Sequence, residues 1–254
     1  MTRLAIRVAA AVAVTGAWAT TAVGSAASAA PTLAHHPRVA AATRNAGWAS
    51  SNWSGYAISG GPFTSVSGNW VVPTVSPTRK ATFSSSWVGI DGFNNSNLIQ
   101  TGTEHDYYNG SAHYSAWWEI LPASSTTISM AVHAGDAMSA TINRGGSGSW
   151  TISISDTTRN EHFSIVQSYG GQLTSAEWIQ EAPTVGGRLA TLANYGQTTF
   201  DPGTANGAVP NLTAADGGVM VQKGVQVSTP SAPDSDLDGF NIQYGSTVPP
   251  APKS

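Results

Sequence analysis

Four short segments of the sequence carry tryptophans, carboxylic acids and an amide at every second position. The positions between them are mostly apolar, so in a β-strand the polar and apolar sets lie on opposite faces. The polar sets are Ser85, Trp87, Gly89 and Asp91; Gln100, Gly102 and Glu104; His113, Ser115, Trp117 and Glu119; and Glu177 with Glu181. Carboxyl groups serve general acid–base catalysis, and tryptophans line peptide clefts or stack on sugars. We therefore predict a substrate groove on one face of a sheet, with the glycines leaving room for another chain.

The rest of the sequence predicts that these segments belong to one all-β domain. From Trp48 onward, Gly, Pro, Asn and Ser separate short alternating runs that are rich in Val, Ile, Thr, Trp and Tyr. About 200 residues suit a single two-sheet antiparallel β-sandwich of the jelly-roll or concanavalin-like kind. Strands are predicted near residues 53–59, 63–72, 82–90, 97–103, 113–121, 125–132, 136–143, 149–155, 161–168, 174–181, 196–200, 218–222, 224–229 and 239–244.

Composition excludes several classes of protein and of active site. The chain has no cysteine, which removes disulfides, thiolate metal sites and cysteine nucleophiles. Leu, Glu and Lys are too scarce for a helical bundle. Asp-Thr-Gly, Asp-Ser-Gly and Gly-x-Ser-x-Gly are absent, so aspartic and serine peptidase chemistry has no support. The histidines lack metal-ligand spacing, and we expect no metal and no cofactor.

The charge distribution disfavours nucleic acid as a partner. From residue 48 onward there are 7 basic and 14 acidic residues, a formal charge of −7. Such a domain has no basic stripe to bind phosphates. It acquires little positive charge when its carboxylates are protonated, which suits low pH, although ordinary acidic solubility predicts the same composition.

The N-terminus has the pattern of a signal peptide. Arg3 and Arg7 precede an uncharged Ala/Val-rich run over residues 8–23, and Ala27-Ser28-Ala29 offers a cleavage site. A membrane anchor is the alternative, but Ala, Thr and Gly make the run only weakly apolar. We predict a signal peptide over residues 1–29 and therefore a secreted, extracellular protein with no membrane association in its mature form.

Three further regions follow the signal peptide. Residues 30–47 are predicted to be a linker or short pro-segment, whose basic residues would suit an electrostatic lid on an acidic domain. Residues 48–246 form the predicted β-sandwich domain, and residues 247–254 a disordered tail. We expect a monomer.

From about Ser51 to Tyr244 the chain resembles the glutamic peptidases, or eqolisins, which are secreted acid proteases with a β-sandwich fold, and six segments carry the resemblance. Each segment is weak by itself, but together they follow the order of the family. They are Asn52-Trp53-Ser54-Gly55; Val66-Ser67-Gly68-Asn69-Trp70-Val71-Val72-Pro73; Trp87-Val88-Gly89-Ile90-Asp91-Gly92; Leu98-Ile99-Gln100-Thr101-Gly102; Ala116-Trp117-Trp118-Glu119 with Pro122; and Ala176-Glu177-Trp178-Ile179-Gln180-Glu181.

The resemblance implies a peptidase that acts on polypeptides with Gln100 as the catalytic glutamine and Glu181 as the catalytic glutamate. Further positions that line or support the cleft fall on Trp87, Asp91, Glu104 and Glu119. In such a dyad a carboxylate can take a proton from water and return it to the leaving amine, while the amide donates to the oxyanion. The sequence leaves two roles open for Glu181, an ionised base toward water or a protonated acid toward the carbonyl. The chain departs from the family in lacking disulfides, in Ile120-Leu121 where aromatic residues are common, and in Glu104 where Asp is common.

Two other classes of function compete with this interpretation. A jelly-roll glycosidase would use Glu119 and Glu181 as nucleophile and acid/base. A lectin-like binding module would use Asp234-Ser235-Asp236-Leu237-Asp238-Gly239, which matches the first half of a calcium loop. Gly245 stands where that loop requires a bidentate Glu, so we interpret the segment as an acidic turn between the last two strands.

Overall fold

The computed structural model describes residues 30–42 and 47–254, so the predicted signal peptide over residues 1–29 lies outside the described residues. The structure is almost entirely β, as predicted, because the alternating runs rich in Val, Ile, Thr and aromatic residues pair as strands. The described strands are β1 (Leu33–Ala34), β2 (Trp48–Ser50), β3 (Trp53–Ser59), β4 (Ser65–Val71), β5 (Ser85–Ile90), β6 (Ile99–Tyr108), β7 (Ser111–Ile120), β8 (Thr126–Ile128), β9 (Ala137–Arg144), β10 (Ser149–Asp156), β11 (Glu161–Ser168), β12 (Ser175–Glu181), β13 (Thr184–Val185), β14 (Arg188–Leu189), β15 (Gln197–Ala205), β16 (Gly217–Gln222), β17 (Val225–Pro230) and β18 (Phe240–Tyr244).

The strands form one long antiparallel ladder that folds into a sandwich. Its order is β11-β10-β9-β4-β15-β18-β17-β16-β3-β12-β5-β6-β7-β8, with β2 added in parallel to β16. Strands β4, β9 and β10 of one half pack on β5 and β6 of the other. The predicted all-β sandwich is therefore confirmed. A separate small antiparallel sheet has the order β1-β13-β14.

The main hydrophobic core lies between the two layers. Val88 and Ile90 of β5 face Trp70 of β4 across the interior, and all three are at most 2% exposed. The indole of Trp178 on β12 donates to the carbonyl of Ser67 at 2.7 Å and so joins the layers. Burial of these large apolar side chains, each worth about 1.5–3 kcal/mol, holds the layers together.

A second apolar cluster covers the opposite face of β12, β5, β6 and β7. It contains the indoles of Trp53, Trp87 and Trp117 together with Ile179. Strands β12 and β5 and most of β6 are therefore buried on both faces, whereas β7 is only partly buried, so the polar positions lie in a largely enclosed groove.

Four short strands and the C-terminus were not anticipated by the sequence. Strands β1, β2, β13 and β14 have only two or three residues each, too few to show alternation. The sequence predicts a disordered tail over residues 247–254, and the structure describes these residues in contact with the domain. The carbonyl of Pro250 accepts a 2.9 Å hydrogen bond from Asn241, because the tail lies back against the last strand.

In the part of the chain that the structure describes, no helix is both long and apolar enough to cross a membrane.

Candidate active site

The groove face of four adjacent strands carries three rows of side chains, because residues paired across a ladder point to the same side. In the order β12-β5-β6-β7, the rows are Glu181-Ser85-Glu104-Ser115, Ile179-Trp87-Gly102-Trp117 and Glu177-Gly89-Gln100-Glu119. The structure thus brings five of the six predicted site residues onto one face. Asp91, the sixth, lies beyond the end of β5.

Glu181 lies on β12, in the row that it shares with Glu104, and is fully buried. Its Oε2 atom accepts a 2.8 Å hydrogen bond from the indole N–H of Trp87. The same oxygen lies 2.9 Å from Nδ1 of His35, and Oε1 accepts a 3.3 Å hydrogen bond from the main-chain N–H of His36. The carboxylate is thereby held in one orientation by three donors.

Gln100 lies in the row of Glu119, four residues along the strand direction from the row of Glu181. Its Nε2 atom donates a 2.7 Å hydrogen bond to Oε2 of Glu119, and its own Oε1 is buried with no hydrogen-bond partner among the residues that the structure describes. The amide is therefore oriented by Glu119 and keeps one N–H and its carbonyl free for a ligand. Burial raises the pKa of Glu119 to about 7 with help from Glu181, against the opposing effects of His35 and Gln100.

His35 reaches into the groove from the segment before the domain. Its ring is fully buried, stacks on Trp117 with centroids 3.7 Å apart, and places Nε2 2.8 Å from Oε1 of Glu104. Its other nitrogen contacts Glu181, so each ring nitrogen faces a carboxylate. Burial by itself would lower the pKa of this imidazole, but Glu104 and Glu181 outweigh it and raise the pKa of His35 well above its ordinary value. The two carboxylates therefore favour the protonated form of this buried imidazole.

The segment around His35 is fixed on both sides of the groove. Before it, Leu33 and Ala34 pair in antiparallel fashion with Val185 and Thr184 of β13. After it, the side-chain amide of Asn52 donates to the carbonyls of residues 36 and 37 at 3.3 and 3.2 Å. Further along, the guanidinium of Arg38 lies over the Phe93 ring, 4.2 Å from its centroid, and donates to the Phe93 carbonyl at 3.1 Å.

The glycines of the groove have a different role from the predicted one. A Cβ atom at Gly89 would lie 2.8 Å from the indole of Trp87, and one at Gly102 would lie 2.4 Å from Cβ of Trp87. They leave room for this tryptophan, not for another chain. A cavity of about 170 Å³, bounded by Glu104, Trp117 and the segment that begins at Pro31, continues the groove instead.

Asp91 is a structural support at the edge of the groove. It adopts a left-handed conformation with φ 72° and is fully buried. Its Oδ2 accepts hydrogen bonds from the hydroxyl of Tyr169 at 2.7 Å and the N–H of Leu173 at 2.9 Å. Its Oδ1 accepts from the N–H of Thr174 at 2.9 Å and the amide of Asn95 at 2.8 Å. The left-handed turn aims the side chain at residues 169–174, away from the row that contains Trp87.

Asp91→Ala is expected to lower the free energy of unfolding by about 3–5 kcal/mol, because it leaves several buried donors without an acceptor. Asp91→Asn keeps the shape and tolerates the left-handed conformation, so about half of that loss is expected. Chemical denaturation of both variants measures the two values. A stable Asp91→Ala variant that had lost turnover would instead place Asp91 among the groups that contact substrate.

Comparison of the amino-acid sequence of this domain with known protein families decides the family to which the chain belongs. The sequence model of the Peptidase A4 family matches residues 51–244. This chain belongs to the Peptidase A4 family. The resemblance to the glutamic peptidases is thereby confirmed, and the chain is a glutamic-type peptidase, a hydrolase. The glycosidase and the lectin-like module are disfavoured accordingly.

Individual relatives of this Peptidase A4 member agree with the assignment. Aspergillopepsin-2 of Aspergillus niger is 27% identical over 198 residues, which are 67% of this chain and 70% of that protein. A crystal structure of scytalido-glutamic peptidase with a transition state analog inhibitor superposes with a TM-score of 0.66 and 23% identity, covering 76% of this chain and 98% of that one. The eqolisin SCP-B in a complex with the tripeptide Ala-Ile-His has a TM-score of 0.61 and 21% identity, with coverages of 76% and 98%.

His35 is the groove residue whose role sequence reasoning missed. The basic residues of the segment over 30–47, ahead of an acidic domain, were the available signal. They indicated attraction to the domain in general, but pairing with Glu104 and Glu181 depends on strand registry that a single sequence does not display.

Proposed function

We propose that this peptidase is made as the precursor of a secreted acid endopeptidase that cleaves unfolded polypeptides. The observation that carries the proposal is the extended chain in the groove, where β1 adds to β13 beside Glu181. Addition of a strand to a sheet edge recognises the main chain of a polypeptide, which a sugar lacks. The tripeptide bound by SCP-B is consistent with a groove of this kind.

In the proposed reaction, Glu181 and Gln100 divide the work of hydrolysis. Glu181 takes a proton from water as the water oxygen bonds to the carbonyl carbon, and then returns that proton to the amide nitrogen as the C–N bond breaks. The free N–H of Gln100 donates to the developing oxyanion, a contribution of about 3–4 kcal/mol for one such donor. Glu119 holds the amide in position through its 2.7 Å hydrogen bond. Because an amide does not titrate, the pH dependence comes from the carboxyl groups.

We expect acid to favour this groove, because its carboxyl groups are buried and lie near one another. Burial raises the pKa of Glu104 above its usual range despite His35, and the pKa of Glu119 is about 7. A carboxyl group with a raised pKa becomes protonated at a higher pH than usual. Both groups therefore lose their charge already in mild acid. We expect activity that requires these neutral acids to decline as the pH rises toward 7.

We further propose that residues 31–42 are a pro-segment that keeps the enzyme latent. The ring of His35 contacts the carboxylate of Glu181, which the proposed reaction requires, and stacks on Trp117. Docking of the imidazolium favours the ionised form of Glu104, so docking weakens as the pH falls and Glu104 becomes protonated. Docking also raises the pKa of His35, so it weakens at the alkaline end when His35 loses its proton. The segment therefore binds best near neutral pH and is released in acid.

The proposed function is tested by assaying the full-length protein on an acid-unfolded protein and on β-glucan and xylan, between about pH 2 and pH 7. We expect new peptide termini below about pH 5 and no release of reducing sugar. Reducing sugar without peptide release would contradict the proposal. N-terminal sequencing of protein recovered from the medium is expected to show removal of residues 1–29.

A further inference from the structure

The acidic turn before the last strand lies against a third carboxylate from elsewhere in the chain. Asp234 and Asp238 belong to the turn, and Asp201 belongs to β15. One oxygen from each of the three lies within 4.8 Å of the other two. The linear calcium-loop pattern lacks its final Glu, but the fold supplies a carboxylate from another strand.

Asp234 is the buried member of this group and is only 4% exposed. Its Oδ1 atom accepts hydrogen bonds from the N–H groups of Asp238 at 3.2 Å and Gly239 at 3.1 Å. Its Oδ2 atom is buried with no hydrogen-bond donor among the described residues, as is Oδ1 of Asp238. A buried carboxylate oxygen without a partner destabilises the fold, and a bound cation removes that penalty.

The unpartnered oxygen of Asp234 faces Asp201. A Cβ atom at Gly239 would lie 2.3 Å from Oδ2 of Asp234 and 2.8 Å from Cβ of Asp201, so both side chains converge on the space that Gly239 leaves open. Glycine at this position is therefore required for the convergence of the two carboxylates.

No basic side chain of the described residues forms an ion pair with these three carboxylates. Lys253 is next to Ser254 in the sequence, and the hydroxyl of Ser254 contacts Ser235 of the turn at 2.7 Å. The ammonium group of Lys253 forms no ion pair with the three aspartates. Asp236 adds a fourth negative charge. Burial and then the charges of Asp236, Asp234 and Asp201 raise the pKa of Asp238 to about 6, and burial with Asp234 and Asp236 also raises the pKa of Asp201.

The donor set identifies the class of ion. Carboxylate oxygens without His or Cys suit a hard cation. Ca²⁺ accepts oxygen ligands at about 2.3–2.6 Å in a flexible geometry, whereas Mg²⁺ demands a near-ideal octahedron and usually keeps several of its waters, so an all-carboxylate group drawn from a turn and a strand favours Ca²⁺. We propose that Asp201, Asp234 and Asp238 form a Ca²⁺ site that joins the turn over residues 234–239 to strand β15. In a chain without cysteine, such a cross-link would stabilise a loop as a disulfide does elsewhere.

The test is thermal unfolding of the full-length protein with EDTA or with about 10 mM CaCl₂, at about pH 7. We expect Ca²⁺ to raise Tm by about 5–10 °C, and calorimetry to show binding of one ion. Mg²⁺ at the same concentration is expected to give a much smaller shift. At about pH 4 protonation competes with the metal, and the Ca²⁺-dependent shift is expected to disappear.

Two variants and a control locate the ion. Asp201→Asn and Asp238→Asn each remove one charged ligand without touching the hydrogen bonds of Asp234, and both are expected to lose most of the Ca²⁺-dependent shift. Glu161→Gln, at the start of β11, removes a charge elsewhere and is expected to keep the full shift. The absence of a shift and of binding in the wild-type protein, or an undiminished shift in both Asp variants, would overturn the site.

Discussion

Glu181→Gln is expected to lower the turnover number at least about 10³-fold, because an amide in place of the carboxylate no longer accepts the proton of the attacking water. The substituted amide keeps the size of the side chain and still accepts a hydrogen bond from Trp87 through its carbonyl oxygen. Its folding is therefore expected to be close to that of the wild-type protein. Gln100→Ala, which removes one oxyanion donor, is expected to cost about 10²–10³-fold.

The matched control is Glu177→Gln, on the same strand and the same face four residues earlier. Glu177 is fully buried, and burial raises its pKa well above the usual range, which favours the neutral form that glutamine resembles. Little change in turnover is expected. If Glu177→Gln lost activity and Glu181→Gln kept it, the catalytic carboxylate would be the earlier residue of the strand.

These variants are best measured in two backgrounds of the full-length chain. One is the native sequence at about pH 3–4, where the segment is expected to be released. The other carries His35→Ala, so that a failure to release the segment is not mistaken for a loss of chemistry. Circular dichroism and thermal melting of each variant separate unfolding from inactivation.

His35→Ala is expected to convert a latent precursor into one that cleaves peptides without a lag. The substitution removes the contacts of the ring with Glu181 and Glu104 and its stacking on Trp117. Loss of one partner of a buried charge pair weakens binding by about 30-fold or more. The initial rate of peptide cleavage at about pH 5 measures the effect in the intact chain.

His36→Ala is the control for this variant. His36 is adjacent in sequence, but its side chain is exposed and only its main-chain N–H contacts Glu181. A synthetic peptide of residues 31–42 is expected to inhibit the acid-activated enzyme and to quench or shift the fluorescence of Trp117. The corresponding peptide with Ala at position 35 is expected to bind far more weakly, and the peptide with Ala at position 36 almost normally. Equal inhibition by all three peptides would show that the histidine does not hold the segment.

The composition of the groove face was accessible from the sequence because side chains alternate along a strand. Trp87 alternates with Val88, and Gln100 with Ile99, so the polar partners share one face while the apolar partners enter the core. The strand pairing aligns these faces into rows, with Gly89 opposite Gln100. Local alternation therefore predicted the set of side chains in the groove.

What the sequence did not reveal depends on contacts between distant segments. Asp91 was expected on the face of Trp87, but its left-handed conformation turns it toward Tyr169. The docking of His35 depends on Glu181, which is 146 positions away. A period-two pattern contains no information about a residue outside the strand, and no linear motif joins Asp201 to the acidic turn.

The hairpin of β13 and β14 has a consequence for the range of substrates that we expect this enzyme to cleave. Its edge pairs with the main chain of residues 33 and 34, and under the proposed function a substrate would pair there through the same peptide N–H and C=O groups, which every amino acid except proline offers alike. Folded proteins already use their backbone N–H and C=O groups in internal hydrogen bonds, so they have no free strand to pair with this edge. We therefore expect the enzyme to cleave many different denatured proteins and to leave folded proteins intact. A processing enzyme, in contrast, recognises a single cleavage sequence.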